Sequence, residues 1–321
     1  MAKKKKTVLV TGAAGYIGGQ TGLQLADRGD YRVIGIDTVS LPPNLRGAYD
    51  LFFQEDFSSR AGLAALEEQA PDAIVHCAGS SLVGPSVNKP AEYYQNNFVK
   101  TKILLDKICD RKIDTRVIFS SSAAVYGEPI MTPCSEVDPC EPISPYGQSK
   151  LMIEWMMKAY RRAYGLDFVA FRYFNACGAD SQGRHGQRPG ATHIIARVLE
   201  SIRDNKEFIL YGEDYDTPDG TCVRDYVHVE DIATAHIQAI NRSLPSDMFN
   251  LGTKNGASNR QVIAAAERIT GKTPNIATGP RREGDPALLT ASADRWHKVS
   301  GWQPRYDLND MINHVWKWYT R

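Results

Sequence analysis

A β-branched run, residues 7–10, passes directly into TGAAGYIG, and an amphipathic stretch then continues to about Arg28. Gly12, Gly15 and Gly18 therefore stand at a GxxGxxG spacing on a turn that leaves a strand and opens a helix. Glycines there allow a tight turn and a close approach of backbone amides to an anion, whose charge rests on the helix N-terminus. A ligand-free glycine turn is the bland alternative, and the strand–turn–helix context weighs against it. Tyr16 and Ile17 lie inside the motif and are expected beside the same ligand. Asp37 closes the next apolar run, YRVIGID, at the distance at which a carboxylate meets an adenosine ribose. Such a carboxylate accepts from an unphosphorylated ribose and repels a 2′-phosphate, and no Arg or Lys directly follows it, so NAD is expected rather than NADP. Asp56 is expected as an adenine contact, or equally as a surface-loop residue.

The same alternation continues. Runs at 72–78, 115–121 and 166–173 read as further strands, and 91–110 and 146–164 as helices. Near-continuous apolar strands separated by helices require a parallel sheet covered on both faces. The expected fold is α/β, a Rossmann-type doubly wound parallel sheet over residues 1–178, with a return at about 226–252. Beyond 178 the regularity weakens through loop-like stretches at 181–190 and 212–221, so 179–321 is expected to form mainly a smaller C-terminal substrate domain.

A net charge of +1 argues against nucleic acid or an anionic membrane as partner, and Lys3 to Lys6 read as a solvated tail. The six cysteines form no CxxC pair, with Cys77 and Cys109 expected as reduced, buried thiols. Histidines are sparse and show no HxxxH spacing, so no metal is expected. No apolar leader and no membrane-length run is found, and a cytoplasmic protein is expected.

Tyr146 and Lys150 are four apart at a helix start, on one face. Among 15 tyrosines this is the only Tyr–Lys pair at that spacing, and it follows a strand that ends in Ser120, Ser121 and Ser122. Met152, Trp155, Met156, Ala159, Tyr160 and Ala163 form an apolar stripe expected to face the core, leaving the Tyr–Lys face towards a cleft. A lysine ammonium about 6 Å away, at an effective dielectric near 20, favours a phenolate by roughly 3 kcal/mol, or about two pKa units. Tyr146 then takes a proton from a hydroxyl while hydride leaves the same carbon for NAD. Ser122 relays that proton or holds the developing ketone, unless it is a simple strand-end cap.

With TGAAGYIG, SSSAAVYGEP, SPYGQSK, RYFNACGA, DGTCVRDYVHVEDIA and RREGDPA in this order, the chain resembles the extended short-chain dehydrogenase/reductase family. Within that family it is similar to the UDP-galactose 4-epimerases. The resemblance implies reversible C4 epimerisation of UDP-glucose and UDP-galactose through a 4-keto sugar that turns over while UDP stays anchored. Ser122, Tyr146 and Lys150 match the catalytic trio, with Lys150 also on the nicotinamide ribose, and Asn97 matches a position near cofactor and substrate. Asn175, Arg224, Arg282 and Asp285 match positions that hold UDP, and Tyr211 and Tyr226 match positions near the nucleotide. Arginine forks suit a diphosphate, although ion pairs with Asp225 and Asp285 are an equal reading from spacing alone.

Three departures stand out. His193 replaces a phosphate-contacting Asn, Ser81 stands where relatives often carry Lys, and Leu289 occupies the sugar-gatekeeper position. A branched Leu disfavours an N-acetyl group, leaving plain UDP-hexoses, with UDP-xylose/UDP-arabinose or UDP-N-acetylhexosamines as alternatives. A 4,6-dehydratase needs an acid–base couple where this chain has Ala123 and Ala124. A non-catalytic NAD sensor is the reading from a different class, and the retained Tyr and Lys argue against it. The resemblance also implies a homodimer through the helices near 91–110 and 146–164.

Overall fold

The computed structural model describes residues 5–281 and 286–321. In chain order the elements are β1 (Lys6–Thr11), α1 (Tyr16–Arg28), β2 (Tyr31–Asp37), β3 (Leu51–Gln54), α2 (Arg60–Gln69), β4 (Ala73–His76), α3 (Val83–Asn88), α4 (Pro90–Tyr93), α5 (Lys100–Asp110) and β5 (Arg116–Ser122). Then come α6 (Pro145–Tyr164), β6 (Asp167–Tyr173), β7 (Asn175–Cys177), α7 (Ile194–Asp204), β8 (Glu207–Tyr211), β9 (Val223–Arg224), β10 (Tyr226–His228) and α8 (Val229–Ala239). The rest are β11 (Met248–Leu251), β12 (Ala257–Ser258), α9 (Asn259–Thr270), β13 (Asn275–Gly279), β14 (Leu288–Leu289), α10 (Asp294–Ser300) and α11 (Leu308–Tyr319). The chain divides into two compact units. The first comprises 1–127, 139–172 and 233–249, and the second 128–138, 173–232 and 250–321.

In the first unit the seven-stranded parallel sheet has the order β11-β6-β5-β4-β1-β2-β3. Strand order reverses between β1 and β4, and a crevice at such a switch point is where doubly wound sheets take their ligands. The Rossmann-type fold expected from the alternating runs is the fold observed. Leu9, Ile34, Ile74, Val117, Phe119 and Phe168 pack on one face against Leu104, Leu105 and Ile108 of α5 and Ile153 and Met157 of α6. Deleting such a side chain costs about 2–5 kcal/mol. Arg116 is fully buried at the start of β5 and donates to the carbonyls of Asn241 at 2.6 Å and Leu244 at 2.7 Å. Those bonds tie the turn before β11 to the start of β5, inside the sheet.

The second unit has its own core. Ile195, Val198, Leu199 and Ile202 of α7, Val262 and Ile263 of α9, and Met311, Ile312 and Val315 of α11 surround Phe208 and Leu210 of β8. Its strands form small sheets, β7 with β10, β8 with β13, and β9 between β12 and β14. Capping boxes, Ser258 with Gln261 and Asp307 with Asp310, start α9 and α11.

One expectation is corrected. The buried face of α6 is Tyr146, Ser149, Lys150, Ile153, Glu154 and Met157, whereas Trp155 is 59% exposed and Ala159 and Ala163 are exposed. Of the anticipated stripe only Met156 is buried, with Met152 and Tyr160 half-buried. The polar residues that turn inwards do so because β5 offers them partners, which an apolar count does not register.

Burial holds three histidines neutral. His76, His228 and His236 are fully buried, and burial depresses each from 6.5 to about 3. Their contribution is complete above pH 6.5 and is lost as pH falls through the window from 6.5 to about 3, by up to about 1.4 kcal/mol per unit per histidine. Asp231, pushed up to about 7 by burial, and Asp225, also raised by burial, run the opposite way and offset part of this. The urea midpoint should therefore fall between pH 6.5 and 4. A flat profile across that range would contradict the assignment of neutral histidines.

Candidate active site

The glycine turn is built for close approach. Gly12 has φ +68°, and a Cβ there would meet the Ala78 amide nitrogen at 2.8 Å. A Cβ on Gly18 would lie 2.2 Å from the Gly12 carbonyl oxygen. Only glycine lets β1 pass into α1 this tightly. The helix starts at Tyr16 from Gly15 with no side-chain cap and no acidic residue in its first turn, which leaves its N-terminal dipole favourable to an anion. Ile17 follows in that turn, and its carbonyl accepts from Thr21 Oγ1 at 2.9 Å. Asp37, at the end of β2, accepts from the Ala14 amide at 3.0 Å and the Val39 amide at 3.2 Å, so the carboxylate is fixed beside the turn. This cradle fits a dinucleotide: amides and a helix end for the pyrophosphate, and a held carboxylate for a ribose.

Asp56 lies two residues past β3, bonded to Lys100 at 2.8 Å and to the amide and hydroxyl of Ser58. Asn97 is 1% exposed in a π-helical turn, Tyr94–Val99, between α4 and α5. Its Oδ1 accepts from the Ser80 amide at 2.7 Å, and its Nδ2 donates to the Ser80 carbonyl and to Ser149 Oγ, both at 3.0 Å. Asn97 thus clamps the loop after β4 to α6. Behind it runs a buried chain that the sequence did not suggest. Thr11 Oγ1 lies 2.7 Å from His76 Nδ1, His76 Nε2 lies 2.9 Å from Thr101 Oγ1, and Thr101 donates to the Asn97 carbonyl.

The trio does come together. Ser144 caps α6 by accepting from the Gly147 amide at 3.2 Å, and Pro145 occupies the first helical position. A Cβ on Gly147 would be 2.4 Å from the Ala124 carbonyl oxygen, so this glycine lets α6 seat against the turn after β5. Tyr146 is thereby hydrogen-bonded to the Ser122 side chain. Ser122 Oγ also accepts from the Ala124 amide at 3.1 Å, so the capping role and the site role coexist in one hydroxyl. Lys150 Nζ donates to the Ser120 carbonyl at 2.8 Å and lies 5.8 Å from the centroid of the Tyr146 ring.

Burial raises the Tyr146 phenol above its usual value, with the Ser122 bond pulling it back. The two-unit depression expected from Lys150 is therefore not set by the protein alone. Burial brings Lys150 itself down to about 8, which leaves it mostly charged at neutral pH.

In the second unit, Asn175 opens β7 and donates both its backbone N–H and its Nδ2 to the Asp225 carbonyl, each at 3.0 Å. Arg224 on β9 is in parallel register with Leu289 on β14, so the two share a face of that small sheet. The Asp225 carboxylate is buried and accepts from Thr253 and from the Ala291 amide, so it is not the surface ion-pair partner that spacing allowed for Arg224. Tyr226 is 4% exposed within the core cluster of this unit. Tyr211 ends β8 with its ring 5.8 Å from the Arg197 guanidinium. His193 stands at the N-cap of α7, bonded to Gln187, and burial lowers its pKa to about 4, making it a neutral imidazole. Arg282 and Asp285 lie outside the described residues. Among the described residues no cluster of His, Cys, Asp or Glu is set to hold a metal ion, and no helix is long and apolar enough to cross a membrane.

A glycine turn at the switch point, a carboxylate fixed beside it, and a half-buried Ser122 gathered with the buried Tyr146 and Lys150 are the pattern of a Rossmann-type enzyme of the short-chain dehydrogenase/reductase kind. The model of the NAD dependent epimerase/dehydratase family matches residues 8–252, and the chain belongs to that family. It is 41% identical to the UDP-glucose 4-epimerase of Halalkalibacterium halodurans over 97% of this chain and 95% of that protein. Among solved structures it is similar to the UDP-glucose 4-epimerase of Brucella ovis in complex with NAD, at 40% identity, TM-score 0.91 and coverage of 96% and 97%. It is likewise similar to that of Bifidobacterium longum in complex with NAD+ and UDP, at 35% identity, TM-score 0.90 and 98% of both chains.

Proposed function

We propose that this protein interconverts UDP-glucose and UDP-galactose by epimerisation at C4, with NAD as its resident cofactor. The observation that carries the reading is the array of Ser122, Tyr146 and Lys150, with the phenol bonded to the serine and the ammonium beside it. The full-length similarity to UDP-glucose 4-epimerases supports it. The glycine turn with Tyr16 and Ile17, together with Asp37, would hold the dinucleotide, with Asp56 towards the adenine and Asn97 shaping the loop that flanks it.

Tyr146 exchanges the proton of the sugar's 4-hydroxyl, and Ser122 holds the oxygen as it becomes a carbonyl. Because burial raises the phenol, its deprotonation depends on nearby positive charge, and Lys150 provides one. When bound, NAD supplies the acceptor for the C4 hydride. Ala123 and Ala124 follow Ser122 in a 3-10 turn, so the acid–base pair that water elimination needs is missing at that position.

The second unit is assigned the UDP moiety. Asn175, Arg224, Arg282 and Asp285 hold the nucleotide, with Tyr211 and Tyr226 near it. His193 acts on phosphate as a neutral hydrogen-bonding group rather than a cation. Leu289, beside Arg224, disfavours an N-acetyl group. The six cysteines are all free, which suits a reducing compartment, and we place the protein in the cytoplasm.

Purified protein should convert UDP-galactose to UDP-glucose with no net NADH, and UDP-N-acetylgalactosamine at least about tenfold more slowly. Tyr146→Phe should lower kcat by about 10²-fold or more at unchanged NAD content. Conversion of none of the UDP-sugars by NAD-loaded protein would contradict the assignment.

The exposed face of α6 that carries Trp155, 59% exposed, with Ala159 and Ala163 one and two turns on, favours a homodimer through this helix. Light scattering should show a dimer for the wild type and a monomer for Trp155→Glu, and a wild-type monomer would refute the interface.

A further inference from the structure

Behind Lys150 lies a buried polar seam whose members do not take part in the proton transfer described above. Glu154 sits one turn beyond Lys150 on α6 and is 1% exposed. Its Oε1 accepts from Ser121 Oγ at 2.5 Å. Arg172 of β6, itself 3% exposed, forks onto the same carboxylate, Nε to Oε1 at 3.0 Å and Nη2 to Oε2 at 2.6 Å. The remaining arm of the guanidinium, Nη1, donates to the Tyr126 hydroxyl at 2.9 Å. Tyr146, Lys150 and Glu154, at successive turns of one helix face, therefore engage Ser122, the Ser120 carbonyl and Ser121 at the end of one strand.

We propose that Glu154, clamped by Arg172, is a positioning residue for Lys150: it fixes the register of α6 on the end of β5 and serves as the counter-anion that keeps the Lys150 ammonium charged. This rests on the reading of Lys150 as the catalytic cation. Stability alone is a weak reason to bury such a pair, since apolar isosteres often serve as well. A position one turn from a functional ammonium supplies a better one.

Burial pushes Lys150 down to about 8, while Cys77 and Glu154 pull it upwards. The groups facing Lys150 are Cys77 and His76 from the end of β4, the Phe119 ring of β5, and Tyr146 and Glu154 from its own helix. Burial keeps His76 neutral and raises the Cys77 thiol to about 11, so the carboxylate held by Arg172 is the anion in this set. Around Arg172 stand Tyr126, Glu154 and Cys140, with Lys158 a turn further along α6 acting on Cys140. The fork to Glu154 raises Arg172 above its usual value despite burial, so the clamp itself stays charged.

The test follows the titration of Lys150 in NAD-saturated protein carrying 13Cε-labelled lysine, with the resonance assigned by its loss in Lys150→Met. Glu154→Gln should lower the Lys150 midpoint by on the order of one pH unit and shift the alkaline limb of the kcat profile with it. Glu154→Asp keeps the charge and should stay close to the wild type. Should Glu154→Gln fail to fold around an unpaired guanidinium, Glu154→Gln/Arg172→Met removes that cation and should show a smaller shift in the same direction, since losing the guanidinium offsets part of the lost carboxylate. An unchanged Lys150 titration in whichever of these two variants folds would overturn the proposal. Wild-type protein that titrates as described but does not epimerise UDP-galactose would instead remove the functional reading, so the two failures are distinguishable.

Discussion

A polar helix face can be buried only if each group on it finds a partner, and the seating of α6 on the end of β5 satisfies that condition. Gly147 lets the helix reach the Ala124 carbonyl, and from that point the spacing of the α-helix determines which group meets which. Tyr146 finds Ser122, Lys150 finds the Ser120 carbonyl, and Glu154 finds Ser121 and Arg172. The Tyr146 phenol and its neighbouring ammonium are thus held by the same contacts that seat the helix. Function and packing use one set of hydrogen bonds here, and these hold the tyrosine and lysine on a face whose apolar part is Ile153 and Met157.

The dinucleotide turn depends on the same sheet. β1 and β4 are paired neighbours at which the strand order reverses, and the turn that follows β1 is compressed until only glycine fits at positions 12 and 18. The buried chain from Thr11 through His76 and Thr101 to Asn97 links β1 and β4 to the π-turn before α5. Asn97 in turn holds the loop after β4 against Ser149 of α6. The glycine turn after β1 and the helix α6 are consequently braced against one another by neutral hydrogen bonds, in a part of the sheet where a charged histidine would be costly.

Much of this was legible in the sequence because it depends on local chemistry. The run YRVIGID forms β2 over the residues expected, the glycine spacing marks the turn, and the Tyr–Lys spacing places both groups on one helix face. β3 and α2 were not anticipated. β3 is only four residues long, and as an edge strand its pairing with β2 is decided by the rest of the sheet rather than by its own pattern. The apolar stripe on α6 was misread because hydrophobic spacing identifies an apolar face without saying what covers it, and Trp155 lies outward while Lys150 and Glu154 lie inward. The clamping role of Asn97 was hidden for a related reason. It rests on a π-turn and on contacts to Ser80 and Ser149, 17 and 52 residues away in sequence. Glu154 four residues after Lys150, and Arg172 after the apolar run 168–171 of β6, were visible as residues but not as a pair.

The central claim is that C4 is oxidised and reduced again on one protein, with the hydrogen kept from solvent. The most direct measurement is to incubate the NAD-loaded protein with UDP-galactose deuterated at C4 in ordinary water and examine the UDP-glucose formed by mass spectrometry and NMR. Full retention of deuterium at C4, with no label lost to solvent, is the result predicted. UDP-glucose carrying solvent hydrogen at C4 would contradict the account and require a different route to inversion.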